Sequence, residues 1–249
     1  MKFSLARTAL ALAATLTLAS CGGGGSGKAT YPIKVNVKNV LYPGLVLSTN
    51  GMDVPVNPPA TAGADVNFSF PNEIEYGQVY NVLPKGGDLS SSPVKYGTQA
   101  LHQTCLPNTN YPDNLPHTAT AGQLATIQVN YVCALNAYPL AGTVKGLTGT
   151  GLQLANGSSA SVTVTPVTDS TTSKPTGADT TFSLGKVYWN QTYGVTVLTQ
   201  PAGQTCSVTA GGDNGKGAGT MQDTNTTSSL TDTTGVTNIV VTCVNNASS

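Results

Sequence analysis

Cys21 stands directly after Leu18-Ala19-Ser20 at the close of a short apolar run. The other four cysteines, Cys105, Cys133, Cys206 and Cys243, are an even set that can close two disulfides, and three pairings are open to them. The two histidines, His102 and His117, lie in the first half of the chain. A metal site needs three or four converging ligands, and beyond the cysteines only Asp113 is at hand. Both are therefore read as exposed loop histidines, with no metal and no cofactor. Nucleophilic catalysis lacks its usual parts, since there is no Gly-x-Ser-x-Gly turn and the second half has no histidine. Glu73 and Glu75 share a strand parity, but Gly185 to Tyr188 in the second half offers no counterpart, so they read as solvated edge charges. Gly211-Gly212-Asp213-Asn214-Gly215-Lys216-Gly217 has the flavour of a calcium loop without its alternating acids, and Lys216 opposes a cation; a long hairpin turn is expected there. Trp189 and its neighbour Tyr188 could form a flat surface for sugar rings, and because adjacent strand residues face opposite ways only one of them can be core. No catalytic residue is assigned, and a non-enzyme is expected.

The segment before Cys21 specifies an address. Lys2 and Arg7 precede an apolar stretch, Thr8 to Leu18, that is too short to span a bilayer as a helix. This arrangement reads as a secretory signal peptide over residues 1–20. Its last residues and Cys21 resemble the lipobox of bacterial lipoproteins. That resemblance implies a diacylglyceryl group on the Cys21 sulfur, removal of the leader, and attachment to membrane lipid. Gly22 in place of aspartate after the cysteine implies, in Gram-negative relatives, delivery to the outer membrane. Residues 21–30 contain Gly22 to Gly27, a glycine and serine run that acts as a flexible tether.

Composition excludes some partners. Arg7 is the only arginine, so the chain without its leader has no guanidinium fork for phosphates, and nucleic acid is not an expected ligand. Charged residues make up only 9%, against roughly a quarter in an average domain, so solvation falls to threonine, serine and asparagine. β-Branched residues favour strands and glycine and proline mark turns, which predicts very little helix.

From Tyr31 the chain states one pattern twice. Gly44-Leu45-Val46-Leu47 with Asn50-Gly51 answers Gly151-Leu152-Gln153-Leu154 with Asn156-Gly157. Gly63-Ala64-Asp65 answers Gly177-Ala178-Asp179, and Tyr76, Gln78, Tyr80 and Val82 answer Trp189, Gln191, Tyr193 and Val195. Gln103-Thr104-Cys105 answers Gln204-Thr205-Cys206, and each copy closes on a β-branched run ending at Cys133 or Cys243. Two units of about one hundred residues are domains, not solenoid repeats. They are placed at 31–135 and 136–249. The repeat selects the local pairings Cys105 to Cys133 and Cys206 to Cys243. Alternation at Val162, Val164 and Pro166, and at Tyr193, Val195 and Val197, predicts strands with one inward face. Tyr80 and Tyr193 are expected in the cores, and the fold class is all-β: two tandem antiparallel β-sandwiches, Ig-like or prealbumin-like, after a signal peptide and flexible linker.

Gly142-Thr143-Val144 with Gly146-Leu147, a Phe-Ser-Leu run and Tyr193-x-Val195-x-Val197 resemble the prealbumin-like sandwiches of collagen-adhesin B-type and carboxypeptidase regulatory-like repeats. Such modules serve as spacers, stalks or binding platforms. The expected role is a lipid-anchored envelope protein that is structural, adhesive or protein-interacting; a carbohydrate-binding module is the alternative and a hydrolase ranks third. The expected partners are an envelope or host surface protein or glycan.

Overall fold

The computed structural model describes residues 27–108, 117–123, 126–223 and 235–247. The leader, Cys21, most of the tether and Asp113 lie outside the described residues. The described chain is all-β. In the first copy the strands are β1 (Thr30–Tyr31), β2 (Ile33–Lys38), β3 (Leu45–Thr49), β4 (Met52–Val56), β5 (Val66–Ser69), β6 (Ile74–Glu75), β7 (Val79–Asn81), β8 (Leu83–Pro84), β9 (Gln103–Pro107), β10 (Thr118–Thr120) and β11 (Ile127–Leu135). In the second they are β12 (Ala137–Lys145), β13 (Leu152–Asn156), β14 (Ala160–Val164), β15 (Thr180–Tyr188), β16 (Thr192–Thr199), β17 (Gln204–Ala210), β18 (Ala218–Thr220) and β19 (Val236–Asn245). Among the described residues no helix is long and apolar enough to cross a membrane.

The repeat in the sequence becomes a repeat in topology. One sheet of the first copy has the order β5-β2-β11-β9, and its counterpart is β15-β12-β19-β17. Opposite them, β4-β3-β8 together with β10-β7 corresponds to β14-β13-β16-β18, with β7 and β8 doing in two pieces what β16 does in one. Period-two alternation builds the inner faces: Ile33, Val35 and Val37 are buried while Lys34 is exposed. Two separate apolar clusters result, one drawn from residues 33–133 and one from 138–243, with Tyr80 in the first and Tyr193 in the second as expected. Burial raises the hydroxyl pKa of both tyrosines, and of Tyr131, whose hydroxyl donates to the Val82 carbonyl at 2.7 Å. Asn50 and Gly51, with φ of 49° and 75°, form the tight turn from β3 to β4 that their pairing predicts.

Strand direction departs from a purely antiparallel reading. β2 and β11 run parallel with Ile33 opposite Ile127 through Lys38 opposite Val132, and β12 runs parallel to β19. Alternation records which face a residue takes and is silent on direction, so the first long strand and the last strand of each sandwich meet in the sheet centre with no signal in the pattern. β12 and β19 approach so closely that a Cβ on Gly142 would lie 2.1 Å from the Ile239 carbonyl oxygen, which only glycine permits.

Both disulfides are the local ones read from the repeat. Cys105 faces Cys133 across β9 and β11, and Cys206 faces Cys243 across β17 and β19, all four buried. The glycine-rich segment 211–217 is not a hairpin. It carries the chain from β17 in the disulfide-bearing sheet to β18 in the opposite sheet. Its Asp213 accepts from the Tyr193 hydroxyl at 3.4 Å and the Thr220 amide at 2.8 Å, so its carboxylate closes the crossing rather than facing a cation.

Candidate functional site

The motif Gln-Thr-Cys begins β9 and β17, and its glutamine is the first functional side chain of each copy. Gln103 accepts from the Leu41 and Tyr42 amides at 2.8 and 3.1 Å and donates to the Asn39 carbonyl at 2.8 Å. Gln204 does the same with Thr148, Gly149 and Gly146, each at 2.8 Å. Both are buried, so a neutral amide satisfies three backbone groups of the loop after the first long strand. A second glutamine lies six residues before each cysteine. Gln99 accepts from the Cys105 amide and Gln200 from the Cys206 amide, both at 2.7 Å. The shared spacing was visible in the sequence; its purpose was not.

The two copies meet across one residue. Asn136 alone separates β11 from β12. Its amide donates to the His102 carbonyl at 2.9 Å and its carbonyl accepts from the Trp189 amide at 2.8 Å. Its side chain accepts from Thr104 Oγ1 at 2.7 Å and donates to Asp223 Oδ2 at 3.5 Å. Every polar group of Asn136 is thus engaged. Asn246 repeats half of this clasp, accepting from Thr205 Oγ1 at 2.7 Å and donating its amide to the Gly203 carbonyl at 3.0 Å.

Aromatic rings cover this junction. The His102 and Trp189 rings stack with centroids 3.7 Å apart and planes 6° from parallel, and Tyr42 meets both edge-on at 5.4 and 5.2 Å. His102 Nδ1 lies 3.3 Å from Asp223 Oδ2, whose side chain is 3% exposed. His102 is thereby removed from the class of exposed loop histidines. It occupies a left-handed position, φ 58°, where the second copy has Gly203 at φ 72°. A side chain there costs roughly 1–2 kcal/mol, and the contacts with Trp189 and Asp223 offset that cost. Tyr42 likewise stands where the second copy has Gly149, since each gives the second of the two amides held by the matching glutamine. Glycine in one copy and a ring in the other at two matched positions was the sequence signal for this junction.

One face of the Trp189 ring is covered by His102, so that face is closed to a sugar ring. Tyr188 stays half-exposed on β15. His117 lies beside Leu89, Val94, Tyr96, Leu106 and Pro107 in a shallow hollow of about 280 Å³, and burial lowers its imidazole pKa below the ordinary value. A neighbouring groove of about 350 Å³ runs over Thr104, Leu106, Leu135, Tyr138, Pro139 and Lys186. Trp189 lines neither. Glu73 accepts from Thr30 Oγ1 and Glu75 lies 3.9 Å from Lys28 Nζ, so these carboxylates fasten the start of the first sandwich. Among the described residues no group of three or more His, Cys, Asp or Glu converges as a metal site.

Since Trp189 is the only tryptophan, its emission reports the stack without ambiguity. His102→Ala is expected to shift that emission to longer wavelength by wetting the ring. An unchanged spectrum in the variant would mean that the rings do not stack in solution.

No family model matches this chain, and neither does any curated protein. A solved structure of the major pilin protein T-13 from Streptococcus pyogenes aligns with 11% identity and a TM-score of 0.23, covering 89% of this chain and all of the pilin chain. A likeness of that size bears on neither fold nor function.

Proposed function

We propose that this chain is a non-catalytic, lipid-anchored envelope protein whose tandem sandwiches form a structural or adhesive module. The carrying observation is the junction. His102 and Trp189, the residues best suited to proton transfer and to sugar stacking, face each other between the two copies. In this reading residues 1–20 are the leader, Cys21 carries the lipid, 21–30 tether the protein, and 31–135 and 136–249 are prealbumin-like spacer units. Gly22 directs the protein to the outer membrane, and its partner is an envelope or host surface protein or glycan.

The lipid is required because a flexible tether contributes no affinity of its own. Each buried methylene adds about 0.8 kcal/mol, so one acyl chain holds only marginally and two hold stably. Cys21→Ala is expected to move the protein from the membrane fraction to the soluble fraction, while its thermal unfolding stays unchanged. A variant retained on membranes after a salt wash would refute the anchor.

A further inference from the structure

Taking the tethered structural module as the starting point, we propose that the chain bears mechanical load, with tension between its ends carried in shear by one parallel strand pair in each sandwich. Past the two-residue β1, which pairs Thr30 and Tyr31 with β6, the chain runs into the first unit at the start of β2, and it leaves at the end of β11. Because these strands are parallel neighbours, those points lie at opposite ends of the pair, and tension acts along the strands. Six residue pairs, Ile33 with Ile127 to Lys38 with Val132, are then loaded together. In an antiparallel terminal pair the same two points would lie side by side, and the bonds would open one at a time. A single backbone hydrogen bond contributes little net stability. The direction of loading therefore decides whether the ladder is weak or strong.

The second unit repeats the arrangement. Leu140 pairs with Val236, and Gly142 to Lys145 pair with Ile239 to Thr242. The first ladder ends at Val132 and the second begins at Leu140; of the residues between, only Asn136 lies outside a strand, and it is held by His102, Thr104, Trp189 and Asp223. Each disulfide ties the last strand to its outer neighbour, β11 to β9 and β19 to β17. Once a ladder ruptures, the bridge still holds back the 28 or 37 residues it encloses.

Single-molecule stretching of the whole chain by its two ends tests this. The comparison is the β13–β14 hairpin of the same protein, held through Thr150→Cys and Thr165→Cys, where an antiparallel ladder opens from one end. End-to-end unfolding is expected at a force severalfold above hairpin opening, and equal or lower force would overturn the inference. The unaltered chain gives a second measure, independent of those variants. Reduction should lengthen its two unfolding events by about 95 and about 125 Å, at roughly 3.4 Å per released residue. Events that do not lengthen would show that rupture does not draw the chain out against the bridges, and would also overturn it. Weak ladders in a membrane-retained protein sink this inference alone; strong ladders in a protein whose attachment ignores Cys21 sink the anchor alone.

Discussion

Replacing Cys206 and Cys243 together by alanine is expected to destabilise the second sandwich by about 3.5–4 kcal/mol, and replacing Cys105 and Cys133 is expected to do nearly the same to the first. The bridges enclose 28 and 37 residues, and closing loops of that length in the unfolded chain removes entropy worth about this much at 25 °C. All four sulfurs lie in the apolar clusters, so losing them also thins the packing around β11 and β19. Denaturant titration of the whole chain should show one transition moving while the other holds its midpoint. Both midpoints staying within 1 kcal/mol of the native value would mean that the bridges do not restrict the unfolded chain. A coupled shift of both would mean that the junction makes the two sandwiches unfold as one.

The second large effect is expected at the buried glutamines. Gln204→Ala removes one acceptor shared by the Thr148 and Gly149 amides and one donor to the Gly146 carbonyl. Each part-buried group left without a partner costs roughly 1–3 kcal/mol, less where water replaces the lost amide, so a total near 3 kcal/mol is expected. Gln103→Ala should behave alike in the first copy. Gln222, an exposed glutamine donating to the Thr220 carbonyl, is the control, and Gln222→Ala should stay within about 0.5 kcal/mol. If Gln204→Ala were as mild as the control, the loop after β12 would be held by something other than this amide.

What could be read from the sequence was what repeats locally. The matched Gln-Thr-Cys triplets gave both disulfides because each copy owns one early and one late cysteine, and spacing alone made the local pairing consistent. Tyr80 and Tyr193 were legible as core because they share a strand position in two copies. The parallel contact of β2 with β11 was not legible, since alternation at Ile33, Val35 and Val37 is the same in either direction. The crossing at 211–217 was not legible, because glycine and asparagine mark a turn without saying which sheet follows it. The stack of His102 on Trp189 joins residues 87 positions apart in different copies, and the matched glycines Gly203 and Gly149 mark the special positions of His102 and Tyr42 without saying which ring they meet.

The matched positions at the ends of the copies have one more consequence. Both finish on the same Thr–Asn clasp, Thr104 with Asn136 and Thr205 with Asn246, so the clasp is a property of the unit and not of the junction. The surrounding surfaces differ: the first copy presents Tyr42 and His102, and the second presents Gly149 and Gly203. Gly149 cannot be upgraded by substitution, because a Cβ there would sit 2.2 Å from the Ala202 carbonyl oxygen. The two copies are therefore not interchangeable. Permuting their order would keep the clasp and forfeit the rings, leaving a connected pair whose mutual orientation nothing fixes. The repeat supplies the fold twice, but a fixed order within the pair rests on two side chains, Tyr42 and His102, that the other copy does not have.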